Sequence, residues 1–308
     1  MSSVWLPYIP RYIINDLLRR PDAPLAGREL RFHAVALFAD ISGFTRMSEA
    51  LGRSGRRGAE ELTAVINSFF EPLIARVEAY GGMVGAFGGD ALTALFPCEP
   101  HDAQTARQAV QCALAMQQDA QRFAAVETSA GTFQLRVKVG LAHGPVCCCA
   151  VGDTATQITF AAAGAAINRC AEAEHHATSD EIVACSDLLR NVEGIVVAEQ
   201  RGAWGVVAAL DTPEPPAPLA PPAPLPLHMT GQLTSVVHPM LAQRLQAGED
   251  AFVNEHRNVT VLWVGFNDLD YDGDMAAGAA LQEYVCAALE IIHRYGGYLN
   301  RVDMGDKG

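Results

Sequence analysis

The sequence is short of basic residues. Its 308 residues carry 22 Lys and Arg against 35 Asp and Glu, a net charge of −13, and a field of that sign repels phosphate backbones and anionic lipid. Non-specific nucleic-acid binding is therefore not expected unless a local patch or a metal ion intervenes. Long hydrophobic runs are also missing: the uncharged apolar stretch around Val139–Val151 is interrupted by His143, Gly144 and Pro145 and falls short of the roughly 18 apolar residues of a membrane span. The eight cysteines include no Cys-x-x-Cys pair and no spacing of the kind zinc sites use. Cys147, Cys148 and Cys149 lie in an apolar run, which suits a buried strand whose free thiols act as small hydrophobes. Residues Met1–Trp5 offer neither a basic leader nor a cleavage site, so reduced thiols and a cytoplasmic location are expected. What remains is half apolar and 19% charged, a globular composition with room for two ordinary cores.

Nearly half of the 17 prolines fall within Asp211–Leu227, a segment that cannot sustain helix or ladder and reads as an extended linker. The expected organisation is a lead-in over 1–30, a first domain over 31–210, linker and connector over 211–257, and a second domain over 258–308. In the first domain, the apolar run Ala34–Ala39 predicts a buried strand, and Leu62, Val65, Ile66, Phe69, Leu73 and Val77 recur at helical spacing within Gly58–Tyr80. Met83–Phe87 and Ala91–Phe96 flank Gly88, Gly89 and Asp90 as a hairpin. A helix over Asp102–Ala125 with Asp102 as N-cap and a strand over Gln134–Leu141 complete an α/β (α+β) unit of ferredoxin-like βαββαβ order. Further expected elements are a strand at Val146–Val151, a helix at Ala162–Ala173, and strands near Ile182–Cys185, Ile195–Val197 and Val206–Leu210.

A repeat crosses the linker. The helix ending at Tyr80, Gly81 and Gly82 corresponds to one ending at Tyr295, Gly296 and Gly297; Val35–Ile41 corresponds to Val259–Phe266, and each copy then reaches an Asp, Asp90 or Asp306. The second copy is expected to be an incomplete version of the first, either docked on it or poorly ordered. Truncation near Asp211 is accordingly expected to improve solubility.

Asp40 closes a predicted strand and is followed by Ile41, Ser42, Gly43, Phe44 and Thr45, a turn whose backbone N–H groups suit an anion. Taken singly, Asp40 reads as a cap or turn residue and Asp90 as ordinary hairpin chemistry. Together they differ: the first strand and the hairpin are sheet neighbours in βαββαβ, so two hard oxygen donors meet beside a phosphate-cradling turn. That combination describes a Mg²⁺–nucleotide site. His175 and His176, beside Glu172 and Glu174, read as a polar helix end.

The strings FADISGFT at Phe38–Thr45, RGAEEL at Arg57–Leu62, GGMVGAFGGDAL at Gly81–Leu92 and RVKVGLAHG at Arg136–Gly144 together resemble the class III nucleotidyl cyclases, of the soluble adenylyl cyclase type with tandem catalytic domains. The resemblance implies metal-dependent conversion of ATP to 3′,5′-cyclic AMP and pyrophosphate, with GTP as the alternative substrate. It implies two Mg²⁺ or Mn²⁺ ions held by Asp40, Asp90 and the Ile41 carbonyl, and a triphosphate held by the backbone of Ser42, Gly43, Phe44 and Thr45. It also implies a partner, either a second cyclase domain in a longer chain or another copy. Arg301 stands where adenylyl cyclases usually carry an adenine-reading Lys, and Gly265 stands where the first copy has Asp40. Asn168 fits a transition-state helix, but Glu172 occupies the place of its Arg, and Ala86 the place of a bicarbonate-binding Lys. The expectation is a chain that carries the metal-binding half and is inactive alone; a nucleotide-binding regulatory module is the alternative. A diguanylate cyclase ranks low because Ala91 and Leu92 follow Asp90 where that family carries Glu and Phe.

Overall fold

The structure, a computed structural model, describes residues 5–100, 102–226, 230–248 and 259–303; Asp306 and parts of the expected connector lie outside them. In chain order the elements are α1 (Arg11–Arg19), β1 (Arg28–Ser42), α2 (Phe44–Gly52), α3 (Gly55–Ala79), β2 (Met83–Phe87), β3 (Ala91–Cys98), α4 (Ala103–Ala120), β4 (Val126–Thr128) and β5 (Gly131–Phe133). These are followed by β6 (Arg136–Asp153), β7 (Gln157–Ala163), α5 (Ala165–His175), β8 (Ile182–Cys185), α6 (Ser186–Asn191), β9 (Ile195–Arg201), β10 (Trp204–Leu210), α7 (Thr230–Leu233), α8 (Pro239–Ala247) and α9 (Ala277–Arg294). The main sheet has the order β2-β3-β1-β6-β8-β10-β9, with β7 paired to β6. Its first four strands have the expected βαββαβ order.

Two compact units emerge: Phe32–Pro145 with Ala165–Leu219, and Met1–Arg31 with Val146–Gly164 and Ala220–Gly308. In the first unit, Leu37, Leu92, Leu95, Phe96, Phe69, Leu73 and Met116 are fully buried. The α4 N-terminus is capped as expected, Asp102 accepting from the amides of Gln104 and Thr105 at 3.0 and 3.2 Å. The start of the proline-rich segment is strapped to α4: Gln108 Nε2 donates to the Pro215 carbonyl at 3.0 Å, Gln104 Nε2 to Glu214 at 3.0 Å, and Arg107 pairs with Glu214.

Several expectations are corrected. The strands expected at Gln134–Leu141 and Val146–Val151 are one, β6. Pro145 falls between the stretch that pairs with β8 (Val139–Leu141) and the stretch that pairs with β7 (Cys147–Asp153), where its missing N–H removes neither of those ladders. Ala162 and Ala163, expected to start a helix, are strand residues opposite Cys148 and Cys147. Gly164, at φ +114°, turns the chain into α5. Helices α2 and α6 and the β4–β5 ribbon were not anticipated.

In the second unit, α9 is the helix expected from the repeat and ends before Tyr295, Gly296 and Gly297. The strands expected at Val259–Phe266 and after Gly297 are not formed among the described residues. Instead α9 lays Leu281, Val285 and Leu289 over Cys147, Cys149, Val151 and Ala161, with Phe266, Leu269, Tyr271, Leu299 and Val302 packed against the same cluster. No described helix is long and apolar enough to cross a membrane.

Candidate active site

The antiparallel pairing of β1 and β3 sets Asp40 opposite Ala91, and the Ile41 N–H donates to the Asp90 carbonyl at 3.1 Å. Strand pairing thus sets the two acids at neighbouring backbone positions, one near the end of a strand and one at a hairpin tip. The hairpin is closed by Gly88 N–H donating to the Ala91 carbonyl at 2.8 Å, with Gly89 at φ +74°.

Two residues beyond Asp40 the strand ends at Ser42, and the next residue, Gly43, with a φ of +93°, is the N-cap of α2. A Cβ there would lie 2.2 Å from the Gln134 carbonyl oxygen, so both conformation and space demand glycine. The first intrahelical bond of α2 runs from Met47 N–H to the Gly43 carbonyl at 3.3 Å, and no side chain caps the helix. The amides of its first turn thus lack internal acceptors and carry the positive end of the helix dipole. Beside them lies a cleft of about 480 Å³ lined by Ser42, Gly43, Arg46, Thr132, Phe133, Gln134, Arg136 and Ser179. Arg136 also pairs with Asp180.

Asp40 does not stand alone. Lys138 Nζ, from β6, is 3.5 Å from its carboxylate and pairs also with Glu174 of α5, whose side chain is only 3% exposed. Burial, then the negative charges of Asp90 and Glu174, raise the Asp40 carboxyl above the ordinary range, against the pull of Lys138. Burial alone would lower the Lys138 ammonium, but Glu174 and Asp40 more than offset it and hold the amine above its usual value. Lys138 and Glu174 were missed as members of this cluster. The available signal was a lysine flanked by Val137 and Val139 at the start of a mostly apolar run, a charge that must find partners when buried. Glu174 reaches it because α5 packs tightly on Gly140, where a Cβ would meet the Cys170 carbonyl at 2.0 Å.

The remaining nominated residues lie elsewhere. Arg301 belongs to the other compact unit and pairs with Asp303 at 2.7 Å. On α5, Arg169 pairs with Asp187 at 3.3 Å, Asn168 and Glu172 share the helix, and the His176 ring stacks on Trp204.

Residues 31–203 match the adenylate and guanylate cyclase catalytic domain, and the chain belongs to that family. Rat adenylate cyclase type 10 is 32% identical over 155 residues, covering 49% of this chain and 9% of the relative. Adenylate cyclase 1 of Rhizobium meliloti is 27% identical over 160 residues, 51% of this chain and 23% of the relative. The chain thus spans a small part of the length of these relatives. Among solved structures, a bacterial light-regulated adenylyl cyclase superposes with a TM-score of 0.52 at 18% identity, over 68% of this chain and 60% of that one. The guanylyl cyclase Cya2 does so with 0.50 at 24% identity, over 62% and 98%. These likenesses establish a mixed α+β cyclase fold.

Proposed function

We propose that this chain acts in the conversion of ATP to 3′,5′-cyclic AMP and pyrophosphate and supplies the half of the site that holds metal and triphosphate. The observation that carries this reading is the meeting of Asp40 and Asp90 beside the uncapped first turn of α2. The residues fit a divalent cation: burial, and then the negative charges of Asp90 and Glu174, raise the Asp40 carboxyl, and Lys138 is the neighbouring counter-charge. Asp40, Asp90 and the Ile41 carbonyl would hold Mg²⁺ or Mn²⁺, hard cations that prefer oxygen. When bound, such ions lower the pKa of the ribose 3′-hydroxyl and neutralise the leaving pyrophosphate.

The chain's own groups have separate tasks. The backbone amides of Ser42, Gly43, Phe44 and Thr45 would orient the triphosphate, since they point donors at an anion without a conformational cost at the moment of reaction. Arg46 and Arg136 line the adjoining cleft with positive charge, and Lys138 holds the Asp40 carboxylate in place. Preference for ATP over GTP rests on the adenylate cyclase relatives, and Arg301 remains the candidate base-reading residue.

Glu172 stands on α5 where the resemblance calls for a transition-state Arg, so a complementary domain, in the same longer protein or another molecule, must bring that cation. The same substitution, with Ala86 in place of Lys, supports a second reading in which the domain is a nucleotide-binding regulatory module. Calorimetry of the purified chain with Mn²⁺ and ATP or GTP, followed by assay for cyclic nucleotide, tests both. Metal-dependent ATP binding that is lost in Asp40→Asn and Asp90→Asn is expected, with turnover well below about 1 s⁻¹ until a complementary cyclase domain is added. Binding unchanged in both variants would overturn the site. Binding with no turnover in the presence of any such domain would favour the regulatory reading.

A further inference from the structure

The run Cys147–Cys149 is absorbed by no step of the nucleotide chemistry. Alternation along β6 sends Cys147 and Cys149 to one face and Cys148 to the other, and the first two sulfurs lie 3.7 Å apart. A carboxylate joins them: Glu29, at the start of β1, has an oxygen that falls with both sulfurs inside a sphere of mutual distances under 4.8 Å.

We propose that Glu29, Cys147 and Cys149 form a binding site for one thiophilic divalent cation of the zinc class. The site lies wholly within the unit formed by the lead-in, the Val146–Gly164 hairpin and the C-terminal segment and is independent of the Asp40–Asp90 reading.

Four observations converge on it. A tetrahedral cation with metal–sulfur bonds of about 2.3 Å sets its two sulfurs about 3.8 Å apart, matching the 3.7 Å observed. Charge balances as well: two thiolates and a carboxylate carry three negative charges, Arg31, paired with Glu29, returns one, and a dication neutralises the other two. The helix above leaves room for the acid, since α9 presents Gly278, where a Cβ would lie 2.0 Å from Glu29 Oε2. Finally, the Tyr271 hydroxyl, packed against the same cluster, is buried without a hydrogen-bond partner, a donor of the kind that supports a metal-bound thiolate from the next layer. The Glu29 side chain is 23% exposed, so the cluster has an edge through which an ion enters, and the fourth position is left to water. Sequence spacing conceals the site because its third ligand comes from a distant strand.

The test uses the full chain, reduced, stripped with a chelator and titrated anaerobically with Co²⁺ and then Zn²⁺. One equivalent of Co²⁺ is expected to produce a thiolate-to-cobalt charge-transfer band and the intense visible bands of four-coordinate cobalt, both bleached by one equivalent of Zn²⁺. Cys147→Ser and Cys149→Ser should each weaken Zn²⁺ binding more than about 100-fold, beyond the loss caused by removing a supporting partner, and Glu29→Gln should weaken it about tenfold. Cys148→Ser, on the opposite face, should leave the spectrum unchanged, as should Asp40→Asn, which removes a hard-ligand site. X-ray absorption on the zinc-loaded wild-type chain, which needs no variant to fold, should count two sulfurs. No thiolate band, a band that survives both Cys147→Ser and Cys149→Ser, or zinc with no sulfur neighbour would each overturn the proposal.

Discussion

Asp40 shows what burying a carboxylate beside like charges costs. Its carboxyl is held above the ordinary range by burial and by two like-charged neighbours, so the native state binds a proton there more tightly than the unfolded chain does. Such a group costs stability above its raised pKa, and the cost fades as pH falls through that value. Asp40→Asn should therefore be at least as stable as the wild type at neutral pH, because Lys138 keeps Glu174 as its partner, with the gap closing in acid. Thermal unfolding against pH checks this, and an Asn variant that unfolds earlier at every pH would contradict it. Gly43 behaves in the opposite sense. Gly43→Ala combines a left-handed φ with a 2.2 Å approach to backbone oxygen, and should lose about 2 kcal/mol or more in denaturant unfolding together with Mn-nucleotide binding.

Among the elements, β8 and β9 are joined by a fork: Arg201 gives two bonds to Glu181, at 2.7 and 2.9 Å, and one to Glu199 at 2.7 Å. The Arg201 bonds, with those from Thr178, pull the Glu181 carboxyl down to about 2. Its contribution is complete above the ordinary carboxylate pKa and is lost as pH falls from there through the depressed value of about 2. Glu181→Gln should cost about 1 kcal/mol at neutral pH, after allowance for solvent screening, and flatten the acid limb of the stability curve. A curve parallel to wild type would count against the fork. Elements differ in how plainly the sequence announces them. The β1–α3–β2–β3–α4 order was legible because Leu62, Phe69, Leu73 and Val77 keep a helical period and the glycines at 88 and 89 mark a turn. Asp40 and Asp90 were legible for the same reason, since strand order alone makes them neighbours. β7 was not, because its three alanines favour helix locally and become strand only by pairing with the cysteines of β6. Glu174 was not either: position at a polar helix end says nothing about burial, which depends on how closely Gly140 lets α5 approach.

For the whole molecule, the C-terminal segment is a cover rather than an appendage. Leu281, Val285 and Leu289 each represent about 1.5–3 kcal/mol of buried apolar surface, and they lie over Cys147, Cys149, Val151 and Ala161. The solubility gain expected from cutting near Asp211 is therefore revised. A chain ended there should bare that face, bind more hydrophobic dye and scatter more light than the full chain, besides losing the Arg107–Glu214 pair. A monodisperse fragment with undiminished melting temperature would refute the revision.

The β4–β5 ribbon carries Thr132 and Phe133 into the wall of the cleft, yet each of its strands is three residues long. A ribbon that short has little stability of its own, and it is hitched to α3 through Glu61, which accepts from Ser129 N at 2.8 Å and Ser129 Oγ at 2.5 Å. Its amides should consequently exchange with solvent deuterium by local fraying, orders of magnitude sooner than those of the buried β1–β3 ladder. Each release of that hitch would loosen the part of the cleft wall that Thr132 and Phe133 form.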